Sequence, residues 1–206
     1  MKVILIRHGE TDYNLESRIM GWKKIPLNHN GKQQISILAK ILDNQYSISK
    51  MYCSDLLRTK QTAEIINTKL EISEVIYKTN LREHSFGDWE GLLFNDLKVK
   101  ESFNKYLELK DEEKSAPNGE TIRFFNDRVF SEFKLIIEEN LHLNNEILIV
   151  AHGGTNRAIL GKLFKISFSD SQKIIKQSNA CINEIIFEKS FDDYQIGNLN
   201  VNSFLL

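Results

Sequence analysis

Two histidines of this sequence stand in the same local setting. Val3-Ile4-Leu5-Ile6 runs into Arg7-His8-Gly9-Glu10, and Ile147-Leu148-Ile149-Val150 runs into Ala151-His152-Gly153-Gly154. Each apolar run reads as a buried strand. In a parallel α/β sheet, ligands bind beyond the carboxyl ends of the strands, so both imidazoles are delivered to the edge where sites form. The glycine after each histidine lets the backbone turn sharply and a ligand come close. A single His-Gly pair carries little information, because many histidines are merely packed or cap a helix. Two of them, each after a buried strand, point to one shared site. Arginines add charge of the matching sign. Arg7 directly precedes His8, and Arg58 falls within Cys53-Ser54-Asp55-Leu56-Leu57-Arg58-Thr59-Lys60-Gln61-Thr62-Ala63, at the opening of a helix that follows a strand. A helix start carrying an arginine suits an anion. Alone, Arg58 reads as a surface ion pair; beside two strand-end histidines it reads as a phosphate clamp.

The elements that must carry these residues alternate along the chain. Residues 2–6 form a strand. Ile35, Leu38, Ala39, Ile41 and Leu42 set a helix over 31–42, with Asn28 or Asn30 as its N-cap. A strand over 49–53, a helix over 55–70 and a strand over 75–79 follow. Ile122, Phe125, Val129, Phe133, Ile136 and Ile137 mark an amphipathic helix over 121–139. Beyond the strand at 147–150 come a helix over 155–164 and late strands over 182–187 and 194–199. Strands alternating with helices predict an α/β fold, with a mainly parallel central sheet between helical layers. Residues 95–120 differ in texture. Lys98, Lys100, Glu101, Lys105, Glu108, Lys110, Asp111, Glu112, Glu113 and Lys114 crowd ahead of Pro117-Asn118-Gly119. Mixed charge of this kind reads first as solvated helix and loop, and second as an insertion or lid over the site.

Bulk properties narrow the function classes. A chain of 206 residues suits one domain, spanning 1–206. The net charge of −1 leaves no global basic field for nucleic acid or an anionic membrane, so any anion binding must be local. No apolar run approaches membrane-spanning length, and the N-terminal apolar stretch is too short for a signal peptide. Cys53 and Cys181 are isolated, which excludes a disulfide framework and reads as core packing. A reducing cytoplasm fits. His29, His84 and His142 lack zinc-ligand spacing, so neither a metal nor another cofactor is expected. The expected partner is a small phosphorylated metabolite, with a homodimer left open.

Several stretches together carry a resemblance. Arg7-His8-Gly9-Glu10-Thr11, Gly21-Trp22 to Pro26-Leu27 with Gly31, and Ser54 to Ala63 come first. Leu81-Arg82-Glu83 through Phe86-Gly87-Asp88-Trp89-Glu90-Gly91, Pro117-Asn118-Gly119-Glu120-Thr121 and Val150-Ala151-His152-Gly153-Gly154 follow in order. This set resembles the histidine phosphatase superfamily, also called the phosphoglycerate mutase-like family, over nearly the whole chain. The resemblance implies a three-layer α/β/α sandwich. It implies His8 as the phosphorylated nucleophile, Arg7, Arg58 and His152 as holders of the phosphoryl group, and Glu83 as proton donor. Asn14 would also contact phosphate, and Gly21 and Gly153 fall with the substrate-binding stretches. The chemistry is coherent. A neutral imidazole can attack phosphorus and split one hard step into two. Neighbouring Arg7 and Arg58 favour that neutral form. Two guanidinium groups and a second histidine supply the charge neutralisation that phosphoryl transfer requires.

Phosphatases and mutases of this family share that catalytic set. Mutases typically read Glu-Arg-His-Tyr-Gly after the acid, whereas this chain reads Glu83-His84-Ser85-Phe86-Gly87, similar to the phosphatase branch. The motif set is similar to α-ribazole phosphatases and broad-specificity phosphatases, so α-ribazole 5'-phosphate or a sugar phosphate is the expected substrate type. A phosphoglycerate mutase is the alternative, and a regulatory module without catalysis the third option. Lys23-Lys24 departs from the acidic residue often found before Ile-Pro-Leu; two solvated lysines is the plainer explanation, selection of a more anionic substrate the other. Trp22 and Trp89 read as packing anchors ahead of substrate contacts.

Overall fold

The computed structural model describes all residues except 98–99, 143–145 and 203–206. In chain order the elements are β1 (Lys2–Arg7), α1 (Asp12–Leu15), α2 (His29–Gln45), β2 (Ile48–Ser54), α3 (Leu57–Leu70), β3 (Val75–Lys78), α4 (Phe94–Leu97), α5 (Glu101–Glu108), α6 (Ile122–Asn140), β4 (Glu146–Ala151), α7 (Gly153–Leu163), α8 (Phe168–Ile174), β5 (Cys181–Phe187), β6 (Tyr194–Ile196) and β7 (Val201–Asn202). Local chemistry sets the helix starts. Asn28 caps α2 by accepting from the Gly31 N–H at 2.7 Å, and Thr121 caps α6 by accepting from Phe124.

The strands form one sheet in the order β3-β2-β4-β1-β5-β6, with β7 also pairing β5. It is parallel across β3, β2, β4 and β1, and antiparallel where β5 meets β1, β6 and β7. The sheet is therefore mixed, with a parallel half that carries both histidine-bearing strands. Alternation along β1 shows the layers directly. Val3 and Leu5 join a core with Phe125, Val129 and Phe133 of α6 and Ile159 and Leu160 of α7. Ile4 and Ile6 join the opposite core, with Leu38 and Leu42 of α2 and Ile66 of α3. The period-2 geometry of a strand thus feeds two hydrophobic layers, and the three-layer α/β/α sandwich follows.

Several boundaries differ from the sequence pattern; α2 extends to His29–Gln45 and α7 starts already at Gly153. α3 begins at Leu57 rather than at 55, because Asp55 is drawn to Arg82, whose Nε and Nη2 donate to its two oxygens at 2.6 and 2.5 Å. The strand expected over 194–199 covers only Tyr194–Ile196, and a separate short β7 lies beyond it. β6 ends at Ile196, and Asn200, with φ of 51°, directly precedes β7. The charged stretch after residue 94 packs α4 and α5 around a third, smaller cluster of Trp89, Leu97 and Ala116, joined by Phe86, Phe103 and Tyr106. Lys98 lies outside the described residues. Among the described residues, no helix is long and apolar enough to cross a membrane.

Candidate active site

β1 and β4 are parallel neighbours with Arg7 opposite Ala151. The ladder continues one residue further, since the His8 N–H donates to the Ala151 carbonyl at 3.1 Å. His8 and His152 therefore leave the sheet side by side. Their ring centroids lie 5.4 Å apart, edge to face. α2, beyond the short α1, covers one face of the sheet and α7, which follows β4, covers the other, so a crevice opens between these strand ends.

The two rings are held differently. His8 Nδ1 lies 2.7 Å from the Gly9 carbonyl oxygen. A carbonyl can only accept, so Nδ1 carries the hydrogen and Nε2 keeps its lone pair. Burial holds the His8 pKa well below its ordinary value, and Arg58 and then Arg7 push it further the same way. His8 is therefore a neutral imidazole with one nitrogen ready to act as a nucleophile. His152 Nε2 pairs with the Ser54 hydroxyl at 2.8 Å, while Nδ1 is buried without a partner. Burial, Arg58 and His8 keep its pKa well below the usual range too.

Two arginines flank this pair. Arg58 is fully buried; Nη2 donates to the Gly21 carbonyl at 2.9 Å and Nη1 to the Lys23 carbonyl at 3.3 Å. Desolvation lowers its pKa to about 10, so it stays cationic at neutral pH. Arg7 donates from Nη1 to the Gln177 carbonyl at 2.7 Å. The Nε groups of Arg7 and Arg58, like His152 Nδ1, are buried polar atoms without partners. Each such group costs roughly 1–3 kcal/mol of lost solvation. Two unpaired cationic donors beside a buried histidine form a cradle complementary to an anion.

Five carboxylates border the motifs, and four have evident structural duties. Glu10 accepts from the amides of Asn28 and Asn30, and its backbone carbonyl accepts from the Asn28 N–H. Glu90 accepts from the N–H groups of Trp22 and Phe86. Asp88 accepts from Asn118. Asp12 sits on the first turn of α1. Glu83 alone reaches the crevice: its Oε2 accepts from the Gly154 N–H at 2.9 Å, at the start of α7, and its Oε1 from the His84 N–H at 2.9 Å. No ion pair involves Glu83 among the described residues, because Arg82 pairs with Asp55. Its charge acts on both Arg7 and Arg58.

The remaining expected residues fall at this edge. Asn14 Oδ1 accepts from the Thr11 N–H and from Asn179; its Nδ2 has no hydrogen-bond partner among the described residues. Gly21 has φ of 48°, and a Cβ there would lie 1.9 Å from a Glu90 oxygen. Its function is conformational, setting the carbonyl that Arg58 grips. Gly153 opens α7, where a Cβ would sit 3.3 Å from Arg7 Nε. Both cysteines are buried and free. Burial raises each thiol's pKa, that of Cys181 to about 11, so both serve packing. Trp89 is buried, while the Trp22 indole N–H donates to the Glu83 carbonyl at 2.7 Å. Among the described residues, no three His, Cys, Asp or Glu side chains gather as metal ligands.

Several residues that hold the site escape motif logic. Ser54 carries His152, and Gln177 carries Arg7. Most extensive is Arg128, which donates to both oxygens of Glu120 and to the carbonyls of Asn80, Arg82 and Glu83. Glu120 in turn accepts from the Ser85 N–H at 2.8 Å. This brace fixes the segment on which Glu83 stands. The only trace in the sequence is that Glu120 and Arg128 are eight residues apart astride the start of α6.

Known proteins show the same architecture. The family model of the histidine phosphatase superfamily (branch 1) matches residues 3–199. The uncharacterized phosphatase PhoE of Bacillus subtilis is 31% identical over 204 residues, covering 98% of this chain and 96% of that protein. A 2,3-bisphosphoglycerate-dependent phosphoglycerate mutase of Buchnera aphidicola is 33% identical, covering 82% of this chain and 86% of its own length. Among solved structures, the α-ribazole phosphatase of Shigella flexneri superposes with a TM-score of 0.86 at 27% identity, over 98% of this chain and 97% of that one.

Proposed function

This chain belongs to the histidine phosphatase superfamily, and on that premise we propose that it is a metal-independent phosphatase of small phosphate monoesters, working through phosphohistidine at His8. The observation that carries the reading is the fixed His8 tautomer in a buried site where Arg58 and Arg7 act on it and keep unpaired nitrogens. Its Nδ1 is engaged by Gly9, and Arg7 Nε, Arg58 Nε and His152 Nδ1 lack partners. In the first step His8 Nε2 attacks phosphorus and the ester P–O bond breaks. The phosphoryl oxygens gain the guanidinium and imidazole donors. Glu83 passes a proton to the leaving oxygen, releasing the alcohol. In the second step water attacks phosphorus, Glu83 takes back a proton, the P–N bond breaks, and inorganic phosphate leaves a neutral His8. Asn14 Nδ2 would serve as a further donor to the phosphoryl group. A phosphorylated metabolite of the α-ribazole 5'-phosphate or sugar phosphate type is the substrate class.

Acid quenching during turnover is expected to trap an acid-labile, base-stable phosphoenzyme in the wild type and none in His8→Ala. Trapped phosphate or turnover surviving that substitution would refute the assignment. A phosphoglycerate mutase is the second reading, favoured by the 33% identical mutase relative. The His84-Ser85-Phe86-Gly87 sequence favours hydrolysis. Phosphorus NMR of 3-phosphoglycerate with 2,3-bisphosphoglycerate separates them: isomerisation without comparable phosphate release would establish the mutase.

A further inference from the structure

A cavity of about 440 Å³ adjoins the phosphoryl cradle, bordered on one side by Glu83 and Gly154. Its position is that of the group attached to the leaving oxygen, since Glu83 faces it. Six Phe, Trp and Tyr side chains line it, Phe86, Trp89, Phe94, Phe103, Tyr106 and Phe168, together with the His84 imidazole. The rings hold one another. Phe103 and Tyr106 stack with centroids 6.1 Å apart, and Trp89 meets Tyr106 edge-on at 5.2 Å. The Trp89 N–H is already satisfied by Ser102 at 3.2 Å, so the indole offers the cavity apolar surface. A glyceryl or seryl group would leave most of that surface against water.

Two cations touch the cavity. Arg18 is engaged by Glu16 and by the Gly91 carbonyl. Arg157 differs. It is half-buried, and its Nε donates to the Ile175 carbonyl at 2.9 Å. Its two terminal nitrogens have no hydrogen-bond partner among the described residues, nor does it form an ion pair there. Arg157 stands where the cavity meets the cradle: the Glu83 charge acts on it, and a Cβ at Gly153 would lie 3.4 Å from its Nη1 and 3.3 Å from Arg7 Nε. A guanidinium there, with both terminal nitrogens free of hydrogen bonds to the described residues, is complementary to an anion carried by a group seated against the rings.

Resting on the phosphatase reading, and deciding against a plain sugar phosphate among its substrate types, we propose that this cavity selects a ring-bearing, largely apolar leaving group with one anionic substituent that pairs with Arg157. The test compares kcat/KM for three monoesters of primary alcohols, so that leaving-group basicity stays nearly constant: glycerol phosphate, 2-phenylethyl phosphate and its para-carboxylate. The phenylethyl ester is expected to exceed glycerol phosphate by at least roughly tenfold, and the carboxylate to add about fivefold. Phe94→Ala should shrink the phenylethyl-to-glycerol ratio. Arg157→Gln should bring the carboxylate-to-phenylethyl ratio to about one. Equal turnover of glycerol and phenylethyl esters by the wild type would overturn the proposal. So would an equal loss on all three esters in Arg157→Gln, which would assign that residue to the phosphoryl group. Absence of turnover on all three and on p-nitrophenyl phosphate would instead remove the phosphatase reading itself.

Discussion

Replacing Arg128 by methionine tests whether Glu83 works because it is held. Arg128 and Glu120 are both about 8% exposed, and their closest approach is 2.5 Å. The substitution leaves the Glu120 carboxylate buried with only the Ser85 N–H. The Asn80 carbonyl loses its donor, whereas the Glu83 carbonyl keeps Trp22 and the Arg82 carbonyl keeps Thr155. Removing one partner of a buried ion pair costs about 3–5 kcal/mol, and the carbonyls that keep a donor should add little. Set against a typical total of roughly 5–15 kcal/mol, the variant should fold, with Tm lower by about 10 °C. Glu120→Gln added to Arg128→Met should recover part of the loss, because no unpaired charge then remains buried. Urea unfolding measures both. Catalysis supplies the sharper readout. A displaced Glu83 should slow an alkyl phosphate by about 10- to 100-fold more than p-nitrophenyl phosphate, since nitrophenolate leaves with little help. Glu83→Gln gives the reference pattern. Equal loss on both esters, or destabilisation under about 1 kcal/mol, would refute the brace.

Two further outcomes follow from the cradle. His8 and His152 are both held neutral, with pKa values depressed below 6.5 by burial and by Arg58. Below pH 6.5 the unfolded chain therefore binds protons that the native state refuses, and stability falls with pH at up to about 1.4 kcal/mol per unit for each histidine; above that window the two contribute no pH dependence. Urea midpoints between pH 7.5 and 5.5 should show this slope, and it should weaken in His8→Gln/His152→Gln; a flat wild-type profile would count against buried neutral rings. Exhaustive chelation should leave turnover intact because arginines neutralise the phosphoryl charge, and loss with EDTA reversed by Mg²⁺ or Zn²⁺ would defeat that expectation.

Much of this protein is written in short-range pattern. The runs ending in His8 and His152 are legible as buried strands because period and apolarity are local properties. The glycine beside each histidine is legible for the same reason, and so is the stripe of α6. Adjacency is another matter. Nothing between residues 8 and 152 says that β4 slots between β2 and β1, yet that choice alone brings the rings to 5.4 Å. Arg58 looks like a surface residue in its own helix. It becomes a clamp because carbonyls of Gly21 and Lys23, on a distant loop, take two of its nitrogens. Arg128 lies on α6 as one polar residue among several, and its three carbonyl partners belong to a segment more than forty residues earlier. Periodicity records which face of an element is buried; it carries no record of which remote backbone shares that burial. The sequence by itself therefore determined the elements, the two strand-end histidines and the cationic character of the candidate site. Tertiary structure decided the His8 tautomer, the unpaired donors, the hold on Glu83 and the aromatic cavity, because each depends on hydrogen bonds and contacts between segments far apart in the chain.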